Sequence, residues 1–243
     1  MTRSRAIALS GLACLALAGC GASASSGQAS SARPRPPTVA GAPPTTTSTV
    51  ANAARVLRRH RRRPAPDPGL KPQTDQLPSS QTRAFRGEMR ALWTAVLTDH
   101  AAAGVPAFFP VTAYTQLKSI GDAAADWRYR LLADYELDIA AAHALLGTPP
   151  AGTELVGVTV PEAYAHWVTP GVCENQVGYY EVPNARMVYR EGGVVRSFGI
   201  ASMISWRGRW YVIHLGYVGR LSVGGRVDAP SVGPGSSAPL YTC

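Results

Sequence analysis

Residues 21–80 of this 243-residue chain contain no aromatic side chain, and residues 1–80 contain only two acids, Asp67 and Asp75. With nothing large to bury, residues 21–80 cannot offset the entropy of ordering a chain, which excludes a hydrophobic core there. The longest apolar run covers residues 6–18, short of the roughly twenty needed for a membrane-spanning helix. The five histidines (His60, His100, His143, His166 and His214) contain no two-His spacing for a metal on one helix face, so no metal is expected. No GxSxG elbow and no glycine loop for nucleotide phosphates occurs, and no cofactor is expected.

The net charge of +9 suggests an acidic partner until it is located. Residues 1–80 carry eleven Arg and Lys against the two acids, whereas residues 81–243 carry thirteen of each sign. The whole excess lies ahead of the part able to fold. Its densest stretch is "RVLRRHRRR", with Arg55, Arg58, Arg59, Arg61, Arg62 and Arg63. A nucleic-acid-binding domain carries a basic face of its own; this one is formally neutral, so no nucleic acid is expected.

The chain opens "MTRSRAIALSGLACLALAGC". Arg3 and Arg5 precede the apolar run, which ends in Leu17-Ala18-Gly19-Cys20. That order is a secretory signal. The last four residues resemble a bacterial lipobox, and the resemblance implies removal of residues 1–19 and a diacylglycerol on Cys20. Two acyl chains anchor stably where one is marginal. The expected location is the outer face of the cytoplasmic membrane, with residues 20–80 as a disordered stalk rich in Pro, Ser, Thr and Arg. On that stalk the basic run could meet anionic lipid or acidic wall polymers, or be a solvated linker without a partner. The Ala/Arg/Pro/Gly bias of the whole chain resembles exported proteins of actinobacteria.

Residues 81–221 are expected to form one domain. Phe85, Met89, Leu92, Trp93 and Val96 recur at helical spacing, with Ser80 or Thr82 as cap and Gly104 with Pro106 as stop. A short helix is predicted from Thr112. A long one follows, with Trp127, Leu131, Tyr135, Ile139 and Leu146 near one stripe and Asp122 and Asp126 in its first turn. The second half turns to Val-, Ile-, Tyr- and Trp-rich segments separated by Glu191-Gly192-Gly193 and Arg207-Gly208, which read as hairpin turns. Helices first and sheet afterwards predict an α+β domain, its N-terminal helices packed on a curved antiparallel sheet. This order, with the closing "ISWRGRWYVIHLG", resembles the nuclear transport factor 2-like (cystatin-like) superfamily. That resemblance implies a pocket between helices and sheet.

Outside the signal and the lipobox, two cysteines remain: Cys173, and Cys243 at the end of a Gly/Pro-rich tail, residues 222–243. In an oxidising compartment an even pair reads as a disulfide that ties the tail back. A free thiol or a link between molecules are the alternatives.

Strict alternation places Trp210, Val212 and His214 on one strand face; helices packed over that face would put His214 in a pocket with an aromatic floor, and the alternative is a satisfied core or edge histidine. Asp134, Glu136 and Asp138 invite an acid–base or metal reading; positions 134 and 138 share a helical face, and an acid such as Asp138 could work with His214. Against it stands a solvated helix face. No catalytic set is assigned; His214, Asp138 and Trp210 are the pocket candidates. Three functions follow: an anchored domain that binds a protein partner or a small ligand, an envelope hydrolase or isomerase using His214 and Asp138, or a structural envelope protein without a pocket.

Overall fold

The computed structural model describes residues 66–146, 152–219, 223–237 and 243. The lipobox cysteine Cys20, most of the stalk and the basic run from Arg55 to Arg63 lie outside them. Among the described residues no helix is long and apolar enough to cross a membrane.

The domain is α+β, with the helices ahead of the strands. Helix α1 is Arg83–Thr98. Thr82 caps it, its hydroxyl accepting the Phe85 N–H at 3.1 Å. The helix stops at Asp99, earlier than Gly104, because Asp99 takes a left-handed conformation (φ 48°) that closes the last turn. Gly104 has another role: a Cβ there would lie 2.3 Å from the Tyr135 hydroxyl, so its glycine permits close packing. A 3-10 segment, Ala101–Ala107, leads to α2, Val111–Leu117. Helices α3 (Ala123–Asp126) and α4 (Ala133–Leu146) are joined by a π-helical turn, Trp127–Leu132. Asp122 caps α3 by accepting the Ala125 N–H at 2.9 Å.

Six strands follow: β1 Glu154–Thr159, β2 His166–Val168, β3 Tyr179–Glu191, β4 Val194–Trp206, β5 Arg209–His214 and β6 Asp228–Val232. They form one antiparallel sheet with the path β1-β3-β4-β5; β2 extends the pairing of β3, and β6 that of β4. The two predicted turns are present. Gly192 and Gly193, then Arg207 and Gly208, all have positive φ, the requirement of a two-residue hairpin loop that matches strand twist.

Aromatic packing joins helices to sheet. Trp93 of α1 lies 5.2 Å from the Tyr189 ring of β3. Phe108 stacks on Tyr135 of α4 at 4.5 Å. Phe109 meets Trp206 and Tyr211 edge-on at 6.0 and 5.9 Å. Phe109 is fixed in place by its own backbone, which donates to the Val212 carbonyl at 2.9 Å.

The folded body takes in residues 66–80, which composition assigned to the stalk. Gly69 is buried so closely that a Cβ would lie 2.4 Å from the Ala113 backbone nitrogen. The Gln73 amide donates to the Ser205 carbonyl at 2.8 Å and accepts the Arg207 N–H at 2.7 Å. This segment joins the fold largely through backbone and side-chain hydrogen bonds, with Pro78 as its buried apolar residue, so composition alone hides it.

Candidate functional site

Several concavities lie among the described residues, the largest of about 560 Å³ between α1 and β1, and two others hold buried polar groups. The first, about 60 Å³, sits between α2, the π turn and the middle of the sheet. At roughly 10–15 Å³ per water it holds a few waters or a small polar group. Its sheet side is a row across three strands. Glu181 pairs with Ile204, and Ser202 with His214. The Ser202 hydroxyl donates to Glu181 Oε1 at 2.8 Å, and His166 Nε2 lies 3.8 Å from Glu181 Oε2.

The helix side of this cavity is a charged cluster. Arg130 holds Asp126 through two hydrogen bonds, at 2.7 and 2.6 Å, and the Tyr114 hydroxyl donates to the same carboxylate. Hydrogen bonding from Arg130 therefore keeps the Asp126 carboxyl below its usual range, while burial pushes the Tyr114 phenol up. Lys118 donates to the Cys173 carbonyl at 2.6 Å. Burial and the nearby Arg130 charge lower its pKa. The π turn matters here, because π segments reset the helix face that follows them, and this one carries both Arg130 and Leu131 into the cavity wall.

Of the pocket candidates, His214 lines this cavity; Trp210 and Asp138 do not. The separation of Trp210 from His214 has a clear cause. Met203 pairs with Val212, but its neighbour Ser202 pairs with His214, so Ile213 is an extra residue in β5. Neighbouring strand residues point to opposite faces, so this bulge turns His214 away from the face of Val212 and Trp210. Asp138 is 1% exposed, not on a solvated face. Its two carboxylate oxygens accept the backbone N–H groups of Gly216 and Arg226, each at 2.8 Å. His143 joins α4 to α1 through the Val96 carbonyl at 2.9 Å. Among the described residues no group of three His, Cys, Asp or Glu side chains is placed to hold a metal. Cys173 and Cys243 form a disulfide, and Cys243 contributes to the wall of the polar cavity.

The second concavity is larger, about 440 Å³, and runs beside β5. Val105, Pro106, Phe108, Pro110, Val111 and Trp127 give it an apolar wall. Trp127 is fixed by its indole N–H, which donates to the Phe109 carbonyl at 2.8 Å. Four polar residues interrupt the apolar surface: Asp67, whose Oδ1 accepts from the Gly69 N–H and the Thr112 hydroxyl, Arg209, and the buried pair Glu88 of α1, 5% exposed, and Tyr211 of β5, 1% exposed. Glu88 Oε1 accepts from the Arg209 guanidinium. That guanidinium also lies over the Tyr211 ring, 5.5 Å from its centre. Burial raises the Glu88 carboxyl against the opposing pull of Arg209, and burial pushes the Tyr211 phenol up to about 12. Sequence reading missed this groove. Glu88 reads as an ordinary surface acid of α1, and its partner Arg209 is 121 residues away.

The chain matches no protein-family model, no curated protein and no solved structure with which it was compared.

Proposed function

We propose that the protein is a lipid-anchored envelope protein whose α+β domain is a binding module for a small, mainly apolar ligand. In this reading the acyl chains on Cys20 hold it at the outer face of the cytoplasmic membrane, and the stalk carries the domain outward. The arginines from Arg55 to Arg63 set where the stalk lies against anionic lipid or wall polymer. A helix–sheet pocket is also what the superfamily resemblance implies.

One observation carries the binding reading: a groove of about 440 Å³ with an apolar, aromatic wall and a few buried polar atoms. Small-molecule sites have this size and lining. Titrating the delipidated full-length mature chain with the neutral fluorophore N-phenyl-1-naphthylamine tests it. Saturable binding with quenching of tryptophan emission is expected, the quench lost in Trp127→Phe and the binding lost in Val105→Arg at the rim. Non-saturable uptake, equal in wild type and Val105→Arg, would remove the reading. The anchor is tested separately by mass spectrometry of the mature N-terminus. A diacylglyceryl Cys20 is expected, and an unmodified N-terminus cut elsewhere would refute it.

A second reading, an envelope hydrolase or isomerase, draws support from one contact, the Ser202 hydroxyl on Glu181 with His214 paired beside it. Glu181 then takes the acid's place in the cavity instead of Asp138. His214→Ala separates the readings, since it leaves fluorophore binding at the groove unchanged but would abolish turnover in the polar cavity.

A further inference from the structure

Two oxygen atoms of the groove lining have unmet hydrogen-bonding capacity. Glu88 Oε2 and the Tyr211 hydroxyl oxygen are both buried, and neither has a hydrogen-bond partner among the described residues. Both residues are at least nine-tenths buried, and both line the groove. Buried polar atoms are almost always satisfied, and one left alone carries its full desolvation penalty. The pair has a definite chemistry. A carboxylate oxygen can only accept, and a phenol that holds its proton can donate.

Charge narrows the partner further. Arg209 already occupies Glu88 Oε1, so the carboxylate is neutralised inside the protein. A ligand cation entering beside Glu88 would sit against the guanidinium of Arg209. A ligand anion would gain from Arg209 but would face two carboxylates of the lining, Glu88 and Asp67. The group that fits both atoms is neutral, with one hydrogen to give and one lone pair to offer.

We infer that the groove's ligand is an apolar molecule bearing a hydroxyl, which donates to Glu88 Oε2 and accepts from the Tyr211 hydroxyl while its hydrocarbon body packs along Trp127, Phe108 and Val111. This rests on the binding reading above, and sharpens it from any apolar molecule to an apolar alcohol or phenol.

The test uses two probes with one hydrocarbon body: 2-naphthol, and 2-methoxynaphthalene, which has no hydrogen to donate. Both are titrated by calorimetry into the delipidated full-length mature chain. Hydrogen bonds to charged groups are among the stronger ones, so 2-naphthol is expected to bind about tenfold or more tightly than the ether. In Tyr211→Phe both probes are expected to lose about threefold in affinity, with the preference kept, because the ether oxygen accepts from Tyr211 as the naphthol oxygen does. The comparison within wild type requires no variant to fold. Equal affinities for the two probes would overturn the hydroxyl assignment and leave the apolar groove standing. No saturable binding of either would overturn the groove reading itself, and this inference with it.

Discussion

Reducing the Cys173–Cys243 disulfide is expected to lower the stability of the domain by about 4 kcal/mol. The bridge spans 70 residues, and closing a loop of that length removes about this much chain entropy from the unfolded state in the loop-closure model. The tail has further attachments. Strand β6 pairs with β4, Arg186 donates to the Ala229 carbonyl at 2.9 Å, and Ser237 donates to the Asn184 carbonyl at 2.6 Å. The strand and these contacts should hold residues 223–237 on the sheet after the bridge is cut, although more weakly. The polar cavity loses more, since Cys243 is part of its wall and Cys173 supplies the carbonyl that Lys118 holds. Urea unfolding of the oxidised protein, the reduced protein and Cys243→Ser checks this. The expected result is a lower midpoint in both altered forms, together with faster proteolysis of the tail. Identical midpoints would mean that β6 alone secures the C-terminus.

Much of this fold is legible in the sequence where a local rule has a local cause. The Thr82 cap, the two hairpin turns and the order of helices and strands each follow from residues within a few positions of one another. What the sequence hides depends on distant partners or on saturation of the apolar signal. In β5 the run Trp210, Tyr211, Val212 is buried on both faces, so no alternation remains to reveal the extra residue Ile213. The misplaced strand face of His214 follows directly. Composition places the stalk boundary at residue 80 because Gln73 and Gly69 carry no hydrophobic pattern, yet both are fixed by atoms far along the chain. The groove depends on Glu88 meeting Arg209 and Tyr211 across the fold. Only the tertiary structure makes that acid a buried one.

Asp138→Ala is the second substitution with a large expected effect, a loss of about 3–5 kcal/mol. The carboxylate is buried and serves two backbone N–H groups, on Gly216 and Arg226, at either end of the connection that leaves β5. Each buried donor left without an acceptor costs about 1–3 kcal/mol, and more where the lost partner is charged. The surroundings leave little room to compensate. A Cβ on Gly225 would lie 1.9 Å from the Leu137 carbonyl oxygen, and one on Gly216 would lie 2.6 Å from the Arg226 carbonyl oxygen. Gly225 is thus laid directly on the backbone of α4 and Gly216 against Arg226, with Asp138 holding both Gly216 and Arg226. Asp138→Asn keeps one acceptor oxygen and should lose less, about 1–3 kcal/mol. A catalytic Asp138 would behave in the opposite way, with Asn and Ala both abolishing turnover at little cost in stability. Denaturant unfolding of wild type and both variants, with fluorophore titration of the groove on each, separates the two. A clasp predicts stability in the order wild type, Asn, Ala, with fluorophore affinity unchanged in whatever fraction remains folded. Unfolding midpoints that do not move would return Asp138 to the list of candidate acids and leave the two N–H groups to be satisfied by some other acceptor.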